Sequence, residues 1–498
     1  MENTIQLPDN LQNVHIHFVG IKGTGMAALV EILFHNGAVI TGSDVSERFY
    51  TDEILEKCGI KALPFSEENI TDEIQYVIYS SAYKLDKNPD LIAAVKKNVP
   101  CMLYTQALGS WSRKAYSCGI CGVHGKTSTT GLTGTILKEL PVPSQVLAGS
   151  IINSFGNTCT YTSPLISKVA KSDKDSKYFV AETCEYQKHF MSFCPKKIIL
   201  TSVESDHQDF YPTYNDIRDA FVDYICLLPE NGDLIYCADD KGAVETAGIA
   251  KTKRPDINLI PYGERAAGVY KLCNWHVENE CQNFSILGLG DFKLKVPGKH
   301  EVMDAIAAVT LACRILIQDG KIPADYVENI KTGLLNFKGG KRRSEIIGQF
   351  TTKSGNNVLV VDDYGHHPTA VKTTLQGFKD FYKGRKIIVD FMSHTYSRTQ
   401  ALLKEFASCF DAADVVILHK IYASARENIA DFNINGRTLF EEAKKYNKDV
   451  HYFEEILDAK DFVMEELNKP LTKENPDGYL FVTMGAGDNW KIGKEILK

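Results

Sequence analysis

Ten consecutive residues, Cys121-Gly122-Val123-His124-Gly125-Lys126-Thr127-Ser128-Thr129-Thr130, have the composition of a phosphate cradle. Gly122 and Gly125 let backbone N–H groups turn toward an anion, and the helix-forming run that follows adds the partial positive charge of a helix N-terminus. Lys126 supplies a mobile cation for the outer phosphates, and Thr127 a hydroxyl for Mg²⁺. The strict pattern G-x-x-x-x-G-K-[ST] fails because Ile120 stands at its first glycine, which leaves the tighter G-x-x-G-K-[ST]. Downstream, residues 178–181 read as a strand ending at Glu182, with Glu185 three residues on. Residues 197–201 read as another, followed by Ser202-Val203-Glu204-Ser205-Asp206-His207. Strand ends rich in acids beside a cradle suit a hard cation carried by a nucleotide, so Glu182 and His207 join Thr127 as candidate Mg²⁺ ligands.

A second glycine-rich turn lies near the start. Residues 15–19 form an apolar strand leading into Gly20-Ile21-Lys22-Gly23-Thr24-Gly25-Met26, then a helical run over 27–36 and a strand over 38–42 that ends at Ser43-Asp44. This βαβ unit follows the logic of a dinucleotide site, although its glycines read G-x-x-G-x-G rather than G-x-G-x-x-G. Gly20, Gly23 and Gly25 would cradle a pyrophosphate, and Asp44 could hold a ribose hydroxyl. A strand over 76–79 ends in Ser80-Ser81, small hydroxyls where α/β sheets place ligands.

The last third repeats strand–helix alternation with polar groups at strand ends. Residues 337–343, Phe-Lys-Gly-Gly-Lys-Arg-Arg, make a basic joint, and a strand over 357–361 ends in Asp362-Asp363-Tyr364-Gly365-His366-His367. Further strands end at His394-Thr395-Tyr396-Ser397-Arg398, at Tyr422/Arg426 and at residues 485–488. Asp362, Asp363, His366 and His367 invite a zinc reading, but no further ligands are spaced to complete one.

At 498 residues the chain is too long for one core, and its length suggests about three domains. The expected fold class is α/β throughout: a Rossmann-like domain over 1–113, a central P-loop-type mononucleotide-binding domain over 114–336, and a C-terminal Rossmann-like domain over 337–498. Residues 158–177 read as a polar surface loop, and a helix is expected over 304–315. The net charge of −7 gives no footprint for nucleic acid. Thirteen scattered cysteines suit a reducing cytoplasm, and Cys118-Gly-Ile-Cys121, the one C-x-x-C, reads as apolar filler. The first ten residues lack a signal core, and no run is apolar enough to insert in a membrane.

Taken in order, HFVGIKGTGM, GSD, SSA, GVHGKTSTT, AETCE, ESDHQD, PGKH, FKGGKRR, DDYGHHPT, HTYSRT and GAGD resemble the motifs of the Mur ligases, the ATP-dependent amide-forming enzymes of peptidoglycan precursor synthesis. They cover nearly the whole chain. The resemblance is strongest to the branch that joins L-alanine to UDP-N-acetylmuramate through an acyl phosphate. The alternative is the sister branch that attaches a peptide to the same sugar nucleotide in cell-wall recycling, where an alanine typically stands at the position of Gly365.

The resemblance implies ATP and Mg²⁺ as cofactors, UDP-N-acetylmuramate and L-alanine as substrates, and a cytoplasmic monomer or weak homodimer. Position by position it implies sugar-nucleotide contacts at Gly20, Gly23, Gly25, Ser43, Asp44 and Ser81. ATP contacts fall at Gly122, Val123, His124, Gly125, Lys126, Thr127 and Ser128, with Arg343 and Asp363 across the joint. Metal ligands fall at Thr127, Glu182 and His207. The L-alanine pocket falls at Tyr364, His366, His394 and Arg398, with Lys126, His366, His394 and Arg398 as the catalytic set. Three motifs depart from the family pattern: Thr183-Cys184-Glu185-Tyr186 replaces D-E-S-D, Glu301 and Asp304 replace asparagines facing adenine, and Thr395 replaces an arginine. Two rival classes remain. A nicotinamide-dependent oxidoreductase would use the first glycine turn but leave GVHGKTS unexplained. A nucleotide-binding scaffold or degenerate ligase would account for Glu301 and Asp304.

Overall fold

The computed structural model describes residues 5–170, 173–423 and 427–498, so Arg426 lies outside the described residues. Among the described residues there are four sheets. The first is all-parallel, in the order β2-β1-β3-β4, from β1 (His15–Val19), β2 (Val39–Ser43), β3 (Tyr76–Tyr79) and β4 (Cys101–Leu103). Helices α1 (Thr24–His35), α2 (Asp52–Lys57), α3 (Pro89–Lys96) and α4 (Tyr104–Ser112) accompany it.

The second sheet has seven strands in the order β11-β10-β9-β5-β8-β6-β7. It comprises β5 (Tyr116–Cys121), β6 (Ser144–Ile152), β7 (Thr158–Thr162), β8 (Tyr178–Glu182), β9 (Lys197–Leu200), β10 (Asp233–Cys237) and β11 (Asn258–Tyr262). Its strands run parallel except β7, which pairs antiparallel with β6. The cradle strand β5 is central, flanked by the strands that end in Glu182 and Leu200. Helices α5 (Lys126–Lys138), α6 (Tyr214–Ile225), α7 (Lys241–Lys253), α8 (Lys299–Gln318) and α9 (Val327–Asn336) complete the middle of the chain.

An antiparallel meander follows β11: β12 (Leu272–Glu278), β13 (Cys281–Ile286) and β14 (Gly290–Leu294). The last sheet runs β15-β16-β20-β17-β18-β19, from β15 (Glu345–Thr351), β16 (Asn357–Asp363), β17 (Arg385–Met392), β18 (Val415–Leu418), β19 (Val450–Tyr452) and β20 (Gly478–Gly485). Only its edge strand β15 is antiparallel. Its central strands are apolar on both faces, as a parallel sheet covered on two sides requires. Leu359, Val361, Val389, Leu480 and Val482 pack on one face, with Val371, Leu375 and Phe378 of α10 (Pro368–Phe381). Val358, Val360, Ile388 and Phe481 pack on the other.

Three expectations change. Residues 158–162 form β7 rather than loop, because Thr-Cys-Thr-Tyr-Thr is β-branched and aromatic and tucks Cys159 fully inside. The helix expected from residue 304 starts at Lys299. The meander was not expected: its strands are half exposed and lack the solid apolar runs that marked the others.

Contacts group the chain into two compact units. One holds the chain up to Glu204 with Ile217–Lys271 and Ala305–Asn336; the other holds Ser205–Asp216, Leu272–Asp304 and Phe337–Lys498. Within the second unit, Val277 of β12 packs on the same core as α10. Gly377 of α10 abuts Gly298 so closely that a Cβ on Gly377 would fall 2.5 Å from the Gly298 Cα.

Candidate active site

In the first unit β5 delivers the chain into the cradle. Gly122 has φ 135° and its Cβ would collide with Thr201 Oγ1 at 2.0 Å, so only glycine fits between β5 and the end of β9. The His124 N–H donates to Ser202 Oγ (2.9 Å), which buttresses the loop, and the His124 ring pairs with Glu204. Gly125 (φ 78°) precedes α5, whose first turn carries Lys126, Thr127 and buried Ser128; Val123 is buried beneath.

Two acids divide the two functional side chains between them. The Thr127 hydroxyl donates to Glu182 Oε2 (2.9 Å), which also accepts the Gly149 N–H (2.7 Å). The Lys126 ammonium donates to the Gly122 and Val123 carbonyls and lies 3.0 Å from the Glu185 carboxylate, itself 2% exposed. Burial works against the ammonium, but Glu185, Cys184 and Glu182 together outweigh it and leave the Lys126 pKa raised. Glu185 was read from sequence only as one more strand-end acid; nothing in its spacing marks it as the counter-ion of Lys126. The touching hydroxyl and carboxylate of Thr127 and Glu182 form an all-oxygen donor set that fits a hard divalent cation. His207, the third proposed ligand, belongs to the second unit.

The first glycine turn is closed by Asp44. Its carboxylate accepts the N–H groups of Lys22 (2.7 Å) and Val45 (2.7 Å) and the Tyr83 hydroxyl (3.4 Å). Asp44 therefore shapes the turn with the same oxygens that a ribose would need. Gly20 (φ 83°) and Ser43 are buried at its base, and Ser81 is exposed at its rim. A cavity of about 290 Å³ runs past Gly23, Gly25, Ser81 and Tyr104 to Glu182 and Cys184. It thus places the glycine turn and Glu182, the hydrogen-bond partner of Thr127, on one half-open space. Gly25 lies under the Tyr104 ring, and a Cβ there would fall 2.8 Å from its hydroxyl. Gly25→Ala is expected to push Tyr104 into this cavity and weaken binding of a sugar nucleotide about tenfold with little loss of melting temperature; calorimetric titration measures the affinity and scanning calorimetry the melting temperature.

In the second unit the four residues assigned to the amino-acid pocket come together. The His366 ring stands edge-on to Tyr364 (4.9 Å) and to His394 (6.5 Å), and His366 Nδ1 donates to the Tyr364 carbonyl (2.9 Å). Arg398 donates through Nη1 to the His394 carbonyl (2.8 Å) and through Nε (3.1 Å) and Nη2 (2.8 Å) to Asp206 Oδ1. Thr395, in place of the family arginine, caps α11 (Tyr396–Ala401): its Oγ1 accepts the Arg398 N–H. The Glu427 carboxylate accepts the Tyr396 and Ser397 N–H groups at the same helix start. At the basic joint Arg342 is bound to Asp362 (2.8 Å) and the Gly485 carbonyl (2.6 Å), and both Arg342 and Arg343 lie over the Tyr364 ring (5.3 Å each). Asp363 accepts the Ser344 and Gly365 N–H groups, both at 2.7 Å. Glu301 and Asp304 are buried in the first turns of α8.

Burial and then the Arg398 charge depress both imidazoles, His366 well below its usual range and His394 to about 4. For Asp206 burial acts upward, but Arg398, with His207 and His366, holds the carboxylate well below the usual range. The unfolded chain binds the His394 proton near pH 6.5 and the folded chain only near 4, so stability is lost as pH falls through that window. The Asp206 contribution is present above the unfolded carboxylate pKa and is lost at still lower pH. The thermal midpoint is expected to drop from pH 6.5 to 4.5, with a shallower slope in His394→Gln; an equal slope in that variant would remove His394 from the account.

Taken along the chain, a parallel α/β sheet, the cradle-bearing sheet and a further α/β sheet define a three-domain α/β architecture. The chain belongs to the Mur ligase family. Its residues 15–116 match the model of the Mur ligase catalytic domain, 120–312 that of the Mur ligase middle domain, and 342–487 that of the Mur ligase glutamate ligase domain. It is 45% identical over 493 residues to a UDP-N-acetylmuramate–L-alanine ligase of Treponema pallidum, covering 98% of this chain and 97% of the relative. A protein of the same name from Borrelia garinii is 38% identical over 97% of this chain and 98% of its own. The fold matches a crystal structure of UDP-N-acetylmuramate–alanine ligase from Thermotoga maritima, with TM-score 0.73 at 24% identity over 97% of this chain and 98% of the other.

Proposed function

We propose that this chain joins L-alanine to the carboxylate of UDP-N-acetylmuramate, with conversion of ATP to ADP and phosphate, in the cytoplasm. The observation that carries the reading is the cavity that links the glycine turn to Glu182 beside Lys126 and Thr127. Near-full-length relatives bearing that activity in their names support it, and among the described residues no helix is long and apolar enough to cross a membrane.

Amide formation in water needs an activated carboxylate. The muramyl carboxylate attacks the γ-phosphorus of ATP, the bond to the β,γ-bridging oxygen breaks, and ADP leaves an acyl phosphate. The amine of L-alanine then attacks the acyl carbon, and phosphate departs from the tetrahedral intermediate. Two anions must meet in the first step, so cationic groups at fixed positions supply most of the catalysis. Lys126 provides one such charge at the cradle. Thr127, Glu182 and His207 would hold Mg²⁺, which when bound neutralises phosphate charge. Arg343 and Asp363 would engage the nucleotide from the joint, and Tyr364, His366, His394 and Arg398 the amino acid. With a pKa near 4, His394 is neutral at pH 7 and accepts a hydrogen bond from the amine. It orients the nucleophile and takes its proton as the N–C bond forms, rather than before.

The test is ADP release measured with each substrate omitted in turn. Release is expected only with UDP-N-acetylmuramate and L-alanine together, more slowly with glycine or L-serine, and not with a tripeptide in place of L-alanine. Release independent of either substrate rejects the reading. Small-angle scattering is expected to show a monomer or weak homodimer that contracts when nucleotide and sugar nucleotide are both added.

A further inference from the structure

Asp206 comes from a stretch matched by the middle-domain model, yet Ser205–Asp216 is grouped with the last sheet in the second unit. Its carboxylate meets Arg398, 192 residues further on, and both side chains are under a tenth exposed. A guanidinium has five N–H donors. Asp206 takes the one on Nε and one on Nη2, and the His394 carbonyl takes one on Nη1. One N–H is left on each terminal nitrogen. That remaining pair forms a fork of the spacing a carboxylate accepts. The fork belongs to a guanidinium whose charge acts on both His366 and His394, and the His366 ring lies against Tyr364.

We propose that Asp206 is a positioning residue for the amino-acid substrate: it clamps the Nε side of Arg398 so that the opposite N–H pair faces the α-carboxylate of L-alanine. The inference rests on the reading given under Proposed function and adds a residue contributed from the middle of the chain. Without the clamp, Arg398 would keep its charge but lose its fixed orientation. Its long side chain would then have to be ordered by the substrate at the moment of binding. The clamp also fixes the partner: Asp206 Oδ1 accepts the His207 N–H (2.7 Å), so the carboxylate is itself held by the loop.

Asp206→Asn keeps the size and removes the charge. It is expected to raise the KM for L-alanine about tenfold or more while the KM values for ATP and UDP-N-acetylmuramate stay within about twofold. Arg398→Gln is expected to raise the L-alanine KM at least as far, and the double variant no further than Arg398→Gln alone, because Asp206 acts through Arg398. An unchanged L-alanine KM in Asp206→Asn overturns the proposal, as does a parallel shift of all three KM values. So does a double variant whose loss is the product of the single losses. Should Asp206→Asn fold poorly, the comparison of Arg398→Gln with the double variant decides, since the double variant leaves no unpaired buried charge. A parent protein that shows no L-alanine-dependent ADP release would instead reject the underlying activity.

Discussion

Lys126→Ala is expected to fold and to turn over at no more than about one part in a hundred of the parent rate. The ammonium sits at the mouth of the cradle, bound to Gly122 and Val123 carbonyls and to Glu185. On the proposed reading its removal would delete a charge-assisted contact to a phosphate whose charge moves during transfer, costing on the order of 2–3 kcal/mol or more of transition-state stabilisation. It would also take from buried Glu185 its lysine counter-ion, which on the proposed reading adds repulsion toward the triphosphate. Single-turnover measurement of ADP formation, with circular dichroism as the check on folding, reads the effect. A well-folded variant with near-parental rates would mean that the phosphates lie elsewhere.

Glu182→Gln carries the second largest effect. The carboxylate accepts from both Thr127 and Gly149, and so ties the end of β8 to the first turn of α5. An amide of the same size can still accept the Gly149 N–H, so the backbone stays in place. What is lost is the negative charge that a divalent cation requires. Turnover at saturating substrate is expected to fall about a hundredfold, with the Mg²⁺ concentration for half-maximal rate displaced upward. Chelation of divalent ions should abolish turnover in the parent altogether. If the variant showed a normal Mg²⁺ dependence, Glu182 would be a scaffold for Gly149 and nothing more. Gly149 itself leaves no space for a side chain, since a Cβ there would fall 2.4 Å from Glu182 Oε2.

What the sequence disclosed follows from the range over which its signals act. The cradle was readable because glycine spacing, lysine and threonine lie within a few residues of one another. Strands β8, β9, β16, β17 and β20 were readable because strands buried on both faces are continuously apolar. The meander and β7 escaped because their half-exposed alternation is shared with ordinary polar loops. The pairings of Lys126 with Glu185 and of Arg398 with Asp206 escaped for a different reason: each joins groups far apart in the chain, and a lone acid carries no mark of the base it will meet. Asp44 shows the intermediate case. Its place at the end of β2 was legible, but its bonds to Lys22 and Val45 depend on a backbone turn that only the folded chain displays.

The grouping of β12–β14 and of Ser205–Asp216 with the last sheet bears on how the molecule could be dissected. A fragment cut after Asn336 would keep the meander but lose α10, exposing Val277 and the surface around Gly298 to solvent. It would also keep Asp206 while discarding the guanidinium that balances it. The complementary fragment would carry Arg398 without its anion. Neither piece is a self-sufficient module, so the unit inherited as a whole is the interleaved chain, and recombination between relatives at that seam would have to exchange three separate stretches at once.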